Sequence, residues 1–304
     1  MALAGATGFL GRRLVRLLAA RGWRVRALVR RASDQAWLAD AGHETVMGDL
    51  ADPQALARLV AGADVTINCA GLVKARDKVA FLQVNRDGAG RLAAASRGRH
   101  VLVSSLAART PELSDYAASK RAGEDAAREA AGVRLAILRP PVIYGPGDRE
   151  TLALFRLAKR SPVAPLLAGP AARLALVHAD DVAESIRDLV ERPELDGVYA
   201  VGGQRPGGYA WSEIMTAAWA QMGRAPRLAR LPSWSVMAAA AVSEMTTPLR
   251  RSPPIFTRGK AREILHPSWS VDESELVPAG PPAQFSLASG FADTAAWYRE
   301  AGWI

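Results

Sequence analysis

Seven residues near the start of the chain, Gly5-Ala6-Thr7-Gly8-Phe9-Leu10-Gly11, restrict its fold more than any other feature. A short apolar run, Met1–Ala4, leads into them, and a helical pattern over 9–21 follows. Each glycine answers a separate need. Gly5 permits a tight turn, Gly8 lets the backbone come close to a bound pyrophosphate, and Gly11 lets the new helix pack on the strand. The pyrophosphate would sit at a helix N-terminus, where unsatisfied N–H groups and the helix dipole favour an anion. A glycine triad alone is a weak signal. Between a strand and a helix, at the head of a strand-helix-strand unit, it predicts a dinucleotide site. That site includes Thr7, Phe9 and Leu10 with the three glycines.

The next two hundred residues keep the same rhythm. Apolar strand-like runs occur at Met1–Ala4, Arg24–Val29, Thr45–Met47, Val65–Asn68, His100–Ser104, Val133–Leu138 and Val198–Val201. Helical stretches lie near 9–21, 53–60, 78–97, 114–131, 150–159 and 180–191. Such alternation predicts an α/β fold, a Rossmann-type doubly wound parallel sheet with helices on both faces. Runs such as LAIL, apolar without a break, and VTINC, uncharged throughout, read as parallel strands buried on both faces. Beyond about residue 205 the rhythm breaks. Helical segments at 211–222 and 290–302 and an apolar segment at 231–248 predict a small C-terminal substrate lobe over 206–304. The segment 145–178 of the 1–205 domain is expected to join that lobe.

The second strand ends at Val29, where a carboxylate would hold the ribose 2′-hydroxyl of NAD. Arg30 and Arg31 stand there instead, and a guanidinium suits a 2′-phosphate, so NADP is the expected cofactor. NAD, with Asp34 on the ribose, is the alternative. Asp49 and Leu50, in the GDL run after the third strand, are placed at the adenine; capping of the helix that begins at Pro53 is the other reading of Asp49.

Tyr116 and Lys120 lie four residues apart in YAASK and share one helix face. A phenol is a poor acid or base near neutrality, with a pKa of ~10. A nearby ammonium stabilises the phenolate and brings that value toward the working range. Ser104 and Ser105 close a buried strand at the edge where open α/β sheets bind ligands. Either hydroxyl is placed to hold a substrate oxygen.

These residues, taken together, resemble the extended short-chain dehydrogenase/reductase family, of NAD-dependent epimerase/dehydratase type. The resemblance is carried by GATGFLG at 5–11, GDL at 48–50, NCAG at 68–71, Asn85, VSS at 103–105, YAASK at 116–120, LRPPVIYGPGD at 138–148 and VHADDVAE at 177–184. It covers residues 1 to about 200; GKAREILHPSW at 259–269 extends it loosely. It implies that Tyr116 is the general acid/base and that Lys120 binds the nicotinamide ribose and lowers the Tyr116 pKa. Ser105, rather than Ser104, would orient the reacting oxygen. Ala70 and Gly71 would pass close to the cofactor, and Pro141 and Val142 would flank the nicotinamide. Asn85 would tie helix to strand, and His178 would be structural. The helices 78–97 and 114–131 are those through which such enzymes often form homodimers. No metal is expected.

Departures from the family pattern narrow the reaction. Leu106-Ala107-Ala108 stands where 4,6-dehydratases carry an Asp-Glu pair. The run from Arg139 to Gly145 lacks the asparagine of sugar-nucleotide members, and Leu174 occupies the position of their pyrophosphate arginine, with Arg173 one step away. The stretches 162–170 and 231–248 are apolar, which suits an apolar ligand. The expectation is a ketone/secondary-alcohol oxidoreductase of the hydroxysteroid dehydrogenase and ketone reductase branch, acting on a bulky apolar substrate such as a long-chain 3-oxo lipid of sphingoid or ceramide type. A sugar-nucleotide 4-epimerase using Arg250, Arg251 or Arg258, and a non-catalytic assembly subunit, are the alternatives.

Composition bears on partners. Lys and Arg number 39 against 30 acids, a net charge of +9, and residues 1–31 hold eight arginines and no acid. No nucleic-acid module is present and aromatic content is 6%, so nucleic acid is not expected as a partner. One cysteine, Cys69, excludes an internal disulfide, and no signal-peptide layout is evident, so a cytoplasmic setting is expected. The apolar segment 231–248 precedes Arg250, Arg251, Arg258, Lys260 and Arg262. It is expected either to pack as core or pocket wall, or to touch an anionic membrane at its inner face.

Overall fold

The computed structural model describes residues 1–130, 133–246 and 256–304. The chain divides into two compact units, Met1–Arg139 with Ala183–Ala200, and Pro140–Val182 with Val201–Ile304.

The first unit is built on a seven-stranded sheet. Its spatial order is Gly197–Ala200, Val133–Arg139, Gly98–Val103, Val65–Asn68, Ala2–Ala4, Arg26–Val29 and Glu44–Met47, and every pairing is parallel. The seven sequence runs that predict strands all form them, with ends displaced by no more than two residues. Their side chains are buried because helices cover both faces: Ala2, Leu3, Ala4, Ile67, Val101 and Leu138 are within 1% of complete burial. Strand order reverses between Ala2–Ala4 and Val65–Asn68, which both pair in register, Ala4 beside Asn68. A crevice opens beyond the carboxyl ends of the strands at such a reversal, and ligands of this fold bind there.

Two local features position the site. The helical pattern over 78–97 is interrupted. It forms the helix Lys78–Leu82, a π-helical turn Gln83–Gly88 and the helix Ala89–Ala95. The wider turn carries Asn85 inward, toward the helix Asp115–Glu129. Gly123 makes room there, since a Cβ on it would lie 2.0 Å from the Asn85 carbonyl oxygen. Elsewhere the buried Arg99 guanidinium, 2% exposed, donates to the carbonyls of Leu189 and Pro193 and pairs with Asp196. It holds the turn that returns the chain to the edge strand Gly197–Ala200.

The second unit has short parallel pairs: Val142–Tyr144 with Leu176–His178, Val163–Leu166 with Arg227–Arg230, and Arg173–Leu174 with Ser268–Trp269. The helices Leu152–Arg160, Trp211–Ala220 and Leu287–Glu300 surround a core of Tyr144, Phe155, Trp219, Phe291 and Tyr298. Residues 140–182 group here with 201–304, so the chain passes between the units three times. The 231–248 segment forms the helix Ser233–Met245. Its last residues, together with Arg250 and Arg251, lie outside the described residues.

Candidate active site

The glycine turn meets its sequence requirements. Gly5 has φ +88°, a left-handed conformation costly for any residue with a Cβ. A Cβ there would also strike the Cys69–Ala70 backbone at 2.6 Å. The turn and the Ala70–Gly71 segment therefore converge at the sheet's reversal point. Gly11 is held against the Gly5 carbonyl, 2.0 Å from where its Cβ would be. The helix Phe9–Ala20 begins on the exposed Gly8, with no side-chain cap and no acid in its first turn. Its leading N–H groups are thus not answered by a capping side chain, and the cradle fits a dinucleotide pyrophosphate.

Around that turn, Arg12 donates from Nε to the Thr7 carbonyl, lies over the Trp37 ring at 4.9 Å and approaches Asp34 at 4.0 Å. Arg30 and Arg31 are exposed at the carboxyl end of the second strand. Asp49 accepts from the Ala51 N–H at 2.7 Å, while the cap of the helix Pro53–Val60 is Asp52. The capping role open to Asp49 is therefore filled three residues later. Leu50 is buried against Gly88.

Ser105, Tyr116 and Lys120 all lie in the first unit, at the carboxyl edge of the sheet and on the helix that packs beside it. The two candidate serines have separate fates. Ser104 is 5% exposed and donates to the Glu124 carboxylate at 2.6 Å. Ser105 is half-buried, and its hydroxyl accepts a 3.2 Å contact from the Ala107 N–H within its own turn. Ser114 caps the helix Asp115–Glu129, which carries Tyr116 half-exposed and Lys120 buried. The Lys120 ammonium donates to the Val103 carbonyl at 2.8 Å, and burial pulls its pKa down to about 8. A Cβ on Gly71 would stand 3.7 Å from that ammonium, so the lysine reaches the segment expected to pass under the cofactor.

Asn85 secures the same region. Its Oδ1 accepts from the Leu72 N–H at 2.8 Å, and its Nδ2 donates to the Leu72 carbonyl and to Ser119 Oγ. Ser119 donates in turn to the Tyr116 carbonyl at 2.8 Å. Burial pushes the Cys69 thiol up to about 12, leaving no thiolate to react at neutral pH.

Glu124 is a residue whose role the sequence reading misses. It is fully buried one turn beyond Lys120 and receives Ser104 Oγ, Arg139 Nε at 2.8 Å and Arg139 Nη2 at 2.5 Å. One carboxylate thus joins the ends of two strands to the Tyr116–Lys120 helix. The only signal in the sequence is a glutamate four residues after the lysine.

Pro141 and Val142 belong to the second unit. So does His178, which is fully buried, stacked on Phe285 at 3.8 Å, edge-on to Tyr144, and 3.3 Å from Asp293 through Nε2. These contacts make it a packing residue. Arg173, next to the position where a pyrophosphate arginine would stand, donates to the carbonyls of Pro170 and Ala172.

A parallel sheet with this order and a glycine turn at its reversal point is a dinucleotide-binding fold, with Ser105, Tyr116 and Lys120 at and beside its carboxyl edge. The model of the NAD dependent epimerase/dehydratase family matches residues 1–202, and the chain belongs to that family. It is an NAD(P)-dependent enzyme of the extended short-chain dehydrogenase/reductase type. A ceramide reductase of Caulobacter vibrioides is 49% identical over 307 residues, covering 100% of this chain and 96% of that protein. A 2-alkyl-3-oxoalkanoate reductase of Stenotrophomonas maltophilia is 33% identical over 182 residues, 52% of this chain and 54% of that protein. Among solved structures, a UDP-glucose 4-epimerase of Thermus thermophilus in complex with NAD superposes with TM-score 0.72. It is 22% identical and covers 98% of each chain, a likeness of fold.

Proposed function

We propose that the chain reduces a ketone to a secondary alcohol on a bulky apolar substrate, with NADPH, and that the substrate is a long-chain 3-oxo lipid of the sphingoid or ceramide type. The observation that carries this reading is the Ser105-Tyr116-Lys120 edge in a chain 49% identical, end to end, to a protein named ceramide reductase. Arg30 and Arg31 support NADP over NAD, since no carboxylate ends the second strand. The groove within the second unit supports an apolar ligand. It has about 350 Å³ and is walled by Leu166, Ala168, Pro170, Trp211 and Leu228, with Arg230 as its charged member. Arg173 turned onto loop carbonyls counts against a sugar diphosphate.

In this mechanism the Ser105 hydroxyl hydrogen-bonds the substrate carbonyl oxygen. Tyr116 delivers a proton to that oxygen as the carbonyl carbon is reduced. The Lys120 ammonium stabilises the resulting phenolate, and its contact with the Val103 carbonyl fixes its reach. Bound NADPH supplies the hydride. A cytoplasmic homodimer belongs to the same reading, and sedimentation velocity tests it. Among the described residues no helix is long and apolar enough to cross a membrane.

The test is NADPH oxidation with 3-oxo-sphingoid lipids, steroids and UDP-sugars, for the wild type and Tyr116→Phe. Turnover of the lipid is expected, with a loss of ~10²–10⁴ in the variant and cofactor affinity kept within a few fold. Epimerisation of UDP-sugars without lipid turnover would replace the reading. So would wild-type-like turnover by Tyr116→Phe.

A further inference from the structure

An apolar helix of a globular protein is ordinarily buried all round. The helix Ser233–Met245, SWSVMAAAAVSEM, carries one charged residue; among the described residues it buries Val236 and Ala240 against Ala261 of the helix Arg258–Leu265, with Met237, Leu167, Phe256 and Leu265 packed beside them. Among the described residues its other side is open. Trp234 is 72% exposed, Val242 61% and Met245 79%, with Ala238 exposed between them. Steps of four, four and three residues place these four on a single stripe. The stripe runs for about 16 Å at 1.5 Å per residue. Leu231, 40% exposed, leads into it. A contiguous apolar surface of this kind on a soluble protein marks a contact site.

The surrounding charge identifies the partner. Exposed Arg227 and Arg230 precede the stripe, and Arg258, 63% exposed, stands at its far end, bound to Glu244. From 227 to 265 the chain holds seven bases and two acids, and both acids are already engaged, Glu244 by Arg258 and Glu263 by Lys260. A second copy of this chain would bring two such basic flanks together, which disfavours self-association. An apolar stripe with cations at both ends matches instead a bilayer with acyl chains under anionic headgroups.

We propose that the exposed stripe Trp234-Ala238-Val242-Met245 seats the protein on the surface of an anionic lipid bilayer, with the flanking arginines on the lipid phosphates. The docking face lies in the second unit, and the observations behind it use none of Ser105, Tyr116 and Lys120.

The experiment is co-sedimentation of the full-length protein with phosphatidylcholine vesicles, with and without phosphatidylglycerol, at low and high salt. Binding is expected only to the anionic vesicles, with release at high salt because the basic contacts are screened. Trp234→Ser combined with Met245→Ser should weaken partitioning at least tenfold while melting temperature and NADPH affinity stay at wild-type values. Arg227→Glu with Arg230→Glu should weaken it by a different route. Absence of wild-type binding to anionic vesicles would overturn the proposal, as would undiminished binding by the Trp234/Met245 variant. A wild-type dimer that this variant dissolves, with no vesicle binding by either protein, would assign the stripe to self-association.

Discussion

Replacing Glu124 with Ala should be among the most damaging substitutions outside the reacting groups, and its cost follows from the structure. The carboxylate is fully buried, and the side chain of Arg139, its main partner, is 15% exposed. Removing one member of a buried ion pair costs about 3–5 kcal/mol, because the remaining charge stays away from water. The Ser104 hydroxyl also loses its acceptor, for which a buried donor pays roughly 1–3 kcal/mol. The contributions share one site and do not add in full, so the expected loss is about 4 kcal/mol. For a unit of this size that corresponds to a fall of about 8–16 °C in melting temperature. Thermal and urea unfolding followed by circular dichroism would measure it. Glu124→Leu combined with Arg139→Met should recover most of the loss, since an apolar pair of similar volume carries no stranded charge. A single variant within about 1 kcal/mol of wild type, on the scale of an ordinary surface change, would refute the reasoning. So would a double variant no better than the single one.

NADPH should bind at least tenfold more tightly than NADH, a difference of ~1.4 kcal/mol, and Arg30→Ala should erase most of that preference; equal wild-type affinities by titration would favour NAD with Asp34 on the ribose. Lys120 gives a pH signature. Its pKa is about 8 in the folded protein against an ordinary 10.5, so the unfolded chain binds more protons between those values and wild-type stability rises with pH across that window. The gain is on the order of 3 kcal/mol at 1.36 kcal/mol per pH unit. Lys120→Met should lack it, and parallel stability curves for the two proteins between about pH 7.5 and 10.5 would contradict the burial argument.

The sheet was legible in the sequence for a physical reason. Leu135–Leu138 is apolar at four successive positions and Val65–Asn68 carries no charge, as a strand covered on both faces requires. The glycine turn was legible because each glycine answers a steric demand. The short strands of the second unit were not. Arg227–Arg230 is half charged and largely exposed, and Arg173–Leu174 pairs with Ser268–Trp269 nearly a hundred residues away, so neither periodicity nor local turns announce them. Segment 231–248 reads first as core and second as contact surface, because composition does not record which side of a helix finds a partner. The separate roles of Ser104 and Ser105 depend on Glu124, and that depends on how a helix sits against two strands.

The passage of the chain out of the first unit at Arg139 and back at Ala183 has a consequence in time. Val133–Arg139 pairs on one side with Gly98–Val103, but its other side waits for Gly197–Ala200. The carbonyls that receive the Arg99 guanidinium arrive in the same late stretch. During synthesis at about 5–20 residues per second, the interval is roughly 3–12 s. Throughout it, the nascent sheet ends in an open row of backbone donors and acceptors beside a cation without its acceptors. An unpaired edge is a template for foreign strands. The residues between Arg139 and Gly197, most of them the insert 140–182, therefore set how long the newborn protein is open to mispairing, and the last strand closes that period as well as the sheet.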